Sequence, residues 1–354
     1  MSIDTLWYTR CPVPTAFSVA IRLGWIDDEF DADGIVARSL ASSTDPEVRV
    51  SHYRHTQPNS FRHGGNIPPL VSRSRGGDLR LIGLSWTEIA YAVLAPAGSG
   101  IRNPGDLRGK RLSLPRRVND SIDFWRGTVL RGYATVLERA GLSFDDVQLI
   151  DIPIERSYLD DATANTDAAE SLWGARSMFP LQREEAVALI RREADVVFSE
   201  GALVPNLKAF LGLETVIDVS AFGQDPRRPN NGLPLALTVS GGLLDDQPEI
   251  VTRWLARVLE AADWASEHED ETKRIVAIET GLPEDFVNDG YSSRVHEQLD
   301  VDLSPDRLDA LRSQHDLLLE HGFLAAAVDL DAFVAHEPLR AARELVEQRA
   351  IAGV

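Results

Sequence analysis

Short apolar runs alternate with stretches of three- and four-residue apolar spacing along most of the chain. The first run, Thr5 to Tyr8, is β-prone and is followed by Cys11-Pro12-Val13-Pro14. Proline lacks an amide donor and constrains the residue before it, so neither strand nor helix continues there. Thr15 to Leu23 then reads as a helix. Cys11 is therefore expected in a loop between a strand end and a helix start, where ligands often bind in α/β proteins. Further strands are expected at Gly34 to Leu40, Arg80 to Ser85, Tyr91 to Ala95, Arg111 to Leu114, Asp145 to Ile154, Asp195 to Phe198, Thr215 to Val219 and Leu235 to Val239. Helices are expected at Asn103 to Leu107, Asp120 to Ala140, Leu181 to Glu193, Glu249 to His268, Asp270 to Thr280 and Pro305 to His321, with Gly141 as a C-cap. Alternating strands and helices predict an α/β fold with largely parallel sheets. The helical tail from Pro248 is expected to pack back on the first half.

The stretch from Ser51 to Pro69, SHYRHTQPNSFRHGGNIPP, breaks this rhythm with three histidines, two arginines, a Gly-Gly pair and three prolines. It reads as a polar loop with little to bury, after which Leu70 and Val71 resume the apolar pattern. Asp160 to Ser171 also reads as an exposed loop. Trp7, Trp86, Trp125 and Trp173 are assigned to core packing by default.

A chain of 354 residues with 44% hydrophobic and 26% charged positions is globular, with room for two ordinary domains or one large one. Lys+Arg 36 against Asp+Glu 55 gives a net charge of −19. That balance argues against a nucleic-acid or anionic-membrane surface but not against a local basic pocket for a small anion. The one cysteine, Cys11, excludes an intramolecular disulfide, a CxxC pair and a Cys-based zinc site. Such a cysteine more often fills core space than reacts. No stretch is apolar enough to span a membrane, and the start lacks a cationic segment followed by an apolar one. The expected location is the cytoplasm, where a thiol stays reduced.

Familiar cofactor motifs are missing. G-D-L-R-G-K-R from Gly105 has the wrong glycine spacing for a phosphate loop, and Arg111 stands where Ser or Thr belongs. No G-x-G-x-x-G, H-E-x-x-H or G-x-S-x-G occurs. His52, His55 and His63 could in principle hold a metal but lack a ligand pattern, and a hydrated loop is the plainer reading. No cofactor is expected.

Three pieces of sequence stand out together: Tyr8-Thr9-Arg10-Cys11-Pro12-Val13-Pro14, then His52, then Gln57-Pro58 through Arg62-His63-Gly64-Gly65-Asn66-Ile67-Pro68-Pro69. They resemble the 2'-hydroxybiphenyl-2-sulfinate desulfinase family of sulfur-oxidising soil bacteria, which has a Cys-Pro-Val-Pro turn, a histidine ten residues before an arginine, and Arg-x-Gly-Gly-x-Ile-Pro-Pro. D-L-R-G-K-R, the Phe124 segment and the Trp264 segment are similar to the family more loosely. The resemblance implies a two-lobed type II periplasmic-binding-protein-like fold with a ligand cleft between lobes. Lobe one would take residues 1–97 and 233–354, and lobe two residues 98–232. It also implies that Cys11, His52 and Arg62 are catalytic, that Arg62, Gly64 and Gly65 bind the sulfinate, and that no metal or cofactor takes part. The link from Cys11 to His52 is longer than the family's, and the segment after Phe124 shorter, so the part of the site that meets the hydrocarbon is expected to differ.

The residue types suit that chemistry. A sulfinate shares its charge over two oxygens, and a guanidinium presents a planar donor fork. Glycines let backbone amides approach an anion closely. A thiol beside a cation is a better nucleophile or a matched proton donor. Two routes stay open: Cys11 protonates the carbon that bears sulfur, or its thiolate attacks the sulfinate sulfur. The expected protein is a monomeric aryl sulfinate desulfinase whose partner is a small aromatic sulfinate. Two other readings are a binding protein for a sulfonate, sulfinate or carboxylate, and another enzyme of this fold. A thiol, a histidine and an arginine together favour chemistry, since capture of an anion needs no thiol.

Overall fold

The computed structural model describes residues 3–158, 182–223 and 228–352. Its strands are β1 (Thr5–Arg10), β2 (Val36–Ser39), β3 (Ser60–Gly64), β4 (Leu79–Ser85), β5 (Tyr91–Pro96), β6 (Arg111–Arg117), β7 (Gln148–Ile154), β8 (Val197–Glu200), β9 (Leu213–Asp218), β10 (Leu235–Ser240) and β11 (Val301–Asp302). Its helices are α1 (Ala16–Arg22), α2 (Trp25–Asp31), α3 (Pro46–Arg54), α4 (Ile67–Ser74), α5 (Phe124–Arg139), α6 (Arg183–Ile190), α7 (Leu203–Leu211), α8 (Gly241–Asp246), α9 (Pro248–Glu267), α10 (Glu269–Thr280), α11 (Val287–Gly290), α12 (Pro305–Glu320), α13 (Leu330–Phe333) and α14 (Glu337–Ala352). The expected loop at Asp160 to Ser171 and the side chain of Trp173 lie outside the described residues.

The chain divides into two units. One takes the chain up to Glu88, Asn231–Val287 and the stretch from Ser293 onward; the other takes Ile89–Asn230 and Asn288–Ser292. The first is built on a six-stranded sheet in the order β11-β4-β10-β3-β1-β2. Here the expectation of largely parallel sheets is corrected. β1 runs parallel to β2 and β3, but β10 is antiparallel to both β3 and β4, and β11 to β4. A strand entering from the far end of the sequence needs no helical crossover, so nothing obliges it to be parallel.

One face of this sheet packs against α9. That helix buries Ile250, Val251, Trp254, Leu255, Val258, Ala261, Ala262 and Ala265, the three- and four-residue spacing of an amphipathic stripe. The Trp254 ring stacks on Phe61 of β3 at 4.2 Å and meets Phe17 of α1 at 5.5 Å. Losing so large a buried ring costs about 3–5 kcal/mol. Glu29 of α2, almost fully buried, takes ion pairs from Arg253 and Arg257 of α9 and Arg349 of α14. Burial pushes its carboxyl up, and the three guanidinium groups more than offset this.

The second unit holds an antiparallel sheet, β8-β5-β9, and the parallel pair β6-β7. Leu94, Val197, Leu189 and Leu207 belong to its core. Asp123 caps α5 by accepting from the Arg126 amide, and Gly141 follows the helix with a left-handed φ of 66°, which glycine adopts without strain.

The largest departure from the sequence pattern is Ser51 to Pro69, which is not a solvated loop. It carries the end of α3, all of β3 and the start of α4, and Arg62, His63, Asn66 and Ile67 are buried. The reason is positional. β3 lies between β1 and β10, so even its polar side chains are taken out of water.

Candidate active site

The parallel register of β1 and β3 sets Thr9 opposite Arg62 and Arg10 opposite His63. Side chains alternate across a sheet, so Thr9 and Arg62 share one face, while Phe61 packs against Trp254 on the other. The pairing carries on past the strand end, since the Cys11 amide donates to the His63 carbonyl at 3.0 Å. The prolines then turn the chain away. Thr15 starts α1 by accepting from the Ser18 amide. Arg10 is anchored by a two-pronged bond to Glu279 of α10, which also pairs with Arg22.

His52 reaches the same face from the last turn of α3, a helix begun by the Asp45 cap and Pro46. Its Nε2 lies 3.7 Å from the Cys11 Sγ, and its Nδ1 lies 2.6 Å from the Thr9 Oγ1. Arg62 ties the group together. Its Nε donates to the His52 carbonyl at 3.0 Å, its Nη1 to the Gly65 carbonyl at 2.9 Å and its Nη2 to the Cys11 Sγ at 3.4 Å.

The electrostatics are unusual. Arg62 is only 3% exposed, and among the described residues no carboxylate pairs with it. A buried cation without a partner anion is costly, so the site attracts one. Burial, and then the Arg62 charge, push His52 down to about 3 and His63 to about 3, and hold His55 well below its ordinary value. All three imidazoles are neutral at pH 7. His63 bonds to the Ser85 hydroxyl at 3.0 Å, and the His55 Nδ1 meets the Tyr53 carbonyl at 3.2 Å. Among the described residues no His, Cys, Asp or Glu group is arranged to hold a metal ion.

The Gly-Gly pair has a steric explanation. A Cβ at Gly64 would stand 2.7 Å from the Cys11 Cβ and would collide with Sγ. A Cβ at Gly65 would overlap the Asn231 side chain. Both approaches are closer than real Cβ atoms show, so a side chain at either position would force the cysteine or the asparagine to move. Asn231 in turn accepts from the Ile67 amide at the start of α4.

Cys11, His52, Arg62, Gly64 and Gly65 thus lie in one cluster at the end of β3. Two neighbours were not foreseen from sequence. Thr9 stands two residues before Cys11, so strand alternation alone could have flagged it. Asn231 has no local signal.

These features define a class: an α/β protein with the type II periplasmic-binding-protein-like fold, carrying a thiol, an imidazole and a buried guanidinium in one cluster. That fold is shared with the periplasmic aliphatic sulphonate binding protein SsuA from Escherichia coli, at a TM-score of 0.64 and 16% identity over 95% of this chain and 93% of that one. The chain is homologous in sequence and structure to the 2'-hydroxybiphenyl-2-sulfinate desulfinases. It is 29% identical to those of Rhodococcus erythropolis and Rhodococcus qingshengii, over 94% of this chain and 92% of theirs. A cysteine-to-serine mutant of the desulfurization enzyme DSZB, solved with biphenyl-2-sulfinic acid, matches with a TM-score of 0.76 and 27% identity over 97% of this chain and 99% of that one. No protein-family model matches the chain.

Proposed function

We propose that the protein is an aryl sulfinate desulfinase, in which an aromatic sulfinate and water give the arene and hydrogen sulfite. The observation that carries this reading is the convergence of Cys11 and His52 on a buried Arg62 that, among the described residues, has no carboxylate partner. Arg62 binds the sulfinate oxygens, helped by the Gly65 amide, and Gly64 keeps room for the Cys11 side chain. Cys11 is the reacting group and His52 orients its thiol. Homology to named desulfinases supports the substrate class.

Two routes use these parts and balance. In the first, the thiol proton moves to the carbon bearing sulfur, and the C–S bond breaks with its electron pair returning to the ring. The sulfur dioxide released takes up water as hydrogen sulfite, and the proton set free returns to the sulfur of Cys11. In the second, the Cys11 thiol passes its proton to His52 and the thiolate bonds to the sulfinate sulfur; the aryl group leaves and takes that proton, and water splits the S–S bond to give hydrogen sulfite and the thiol. Both begin with the sulfinate held beside Sγ, and neither needs an oxidant. The test is sulfite release from 2'-hydroxybiphenyl-2-sulfinate, with Arg62→Ala beside wild type. Sulfite from wild type and little from the variant supports the reading. A variant with the wild-type KM contradicts the assignment of Arg62.

A further inference from the structure

Behind the cluster lies a water-sized cavity lined by Thr9, Ser51, His55, Ser60, Arg62, Thr238 and Ser240 with a few apolar neighbours. The His55 Nε2 beside it is buried and has no partner. Its protonation is fixed by geometry. The Tyr53 carbonyl can only accept, so the His55 Nδ1 carries the proton. Nε2 of the neutral ring is then a bare acceptor that needs a donor. None of the nearby hydroxyls bonds to it. Ser60 donates to the Gln57 carbonyl at 2.6 Å, and Ser51 accepts from the Thr56 and Gln57 amides. Ser240 accepts from the Ser60 amide.

We propose that Thr9 is a positioning residue and that this cavity binds one water, which together hold His52 in the tautomer with its proton on Nδ1. The water donates to the His55 Nε2 and accepts from the Thr9 hydroxyl, a polar site of the kind that retains buried water. With its own proton committed to that water, Thr9 Oγ1 accepts at 2.6 Å from the His52 Nδ1. The Nε2 lone pair of His52 then faces the Cys11 thiol and accepts from it, while Arg62 donates to the sulfur from another side. Every polar atom in the chain from Cys11 to His55 gains a partner of the right kind. The three residues come from β1, the last turn of α3 and the residue that ends α3, so the fold itself sets the direction of the chain.

The consequence for turnover rests on the desulfinase reading, but the tautomer does not. The experiment is nitrogen-15 NMR of histidine-labelled protein, for wild type, Thr9→Val, Thr9→Ser and His55→Leu, with iodoacetamide alkylation of Cys11 and steady-state kinetics on the same samples. In wild type and Thr9→Ser, His52 is expected to carry its proton on Nδ1. In Thr9→Val and His55→Leu the population shifts toward Nε2. With 2'-hydroxybiphenyl-2-sulfinate, Thr9→Val should lower kcat about tenfold at little change in KM, the size of one lost hydrogen bond, and serine should restore it. A wild-type His52 protonated on Nε2, or a tautomer indifferent to Thr9→Val, overturns the proposal. If no sample releases sulfite while the tautomer behaves as stated, the desulfinase reading fails and the Thr9 assignment stands.

Discussion

Both units bury acids and bases, Glu29 in the first and Arg117 in the second among them, but the groups that burial drives neutral are of opposite kinds. The unit with the six-stranded sheet encloses His52, His55, His63 and Arg62, and burial drives the histidines neutral. The other unit encloses acids. Burial raises Glu185 to about 7 although the Trp125 indole donates to it at 2.8 Å, and burial raises Glu200 to about 7, with Tyr91 pulling the other way. The acids sit apart among aromatic rings. His52 and Arg62 converge on Cys11 and, among the described residues, leave a cation without a carboxylate. Buried polar groups that converge, and are incompletely satisfied by the protein alone, mark the place where a ligand belongs.

Replacing the thiol gives the largest expected effect: Cys11→Ser abolishes sulfite release while sulfinate still binds, as a calorimetric titration would register. Arg62→Ala comes next. Losing one partner of a buried charge pair weakens sulfinate binding by about 2–5 kcal/mol, and Arg62→Lys should recover little, because lysine lacks the planar fork. Unchanged affinity would place Arg62 outside the site. Gly64→Ala should cost about 1–3 kcal/mol of stability through overpacking and alter the Cys11 alkylation rate. A denaturant titration in which Gly64→Ala matches wild type would remove the steric account of that glycine.

The two units should also part company on pH. His52 and His63 are held at about 3, below the ordinary 6.5, so the unfolded chain takes up protons first as the solution is acidified. Their contribution to stability is present above about 6.5 and is lost as pH falls toward 3. Glu185 and Glu200 are held at about 7, above the ordinary 4.5, so the folded chain keeps their protons longer. Their contribution is present below about 4.5 and is lost as pH rises through 7. Amide-exchange protection measured from pH 4.5 to 8 should therefore fall on the acid side for β3 and on the alkaline side for α6. Parallel loss in both units would break the contrast. The smallest effect is that of Glu185→Gln, which should flatten the alkaline limb without altering turnover.

The regular elements were legible because their burial follows local period: α9 and α12 show the helical spacing, and β4, β5 and β10 the short apolar run. Ser51 to Pro69 was not, because the burial of Arg62 and His63 depends on β1 and β10, the latter well over a hundred residues away. Cys11, His52 and Arg62 were named from a resemblance; without it the lone cysteine read as inert, and Arg62 lay in a stretch that read as a polar loop. What no pattern could provide was the reason for Gly65, since the Asn231 side chain that excludes a Cβ there comes from a distant segment.

The most direct test of the central claim is sulfite release from 2'-hydroxybiphenyl-2-sulfinate by wild type and Cys11→Ser side by side, with binding of the sulfinate measured on both. The account predicts sulfite from wild type alone and binding by both. Binding by both without sulfite from either would contradict it and leave an anion-binding protein, and sulfite from Cys11→Ser would remove the thiol from the chemistry.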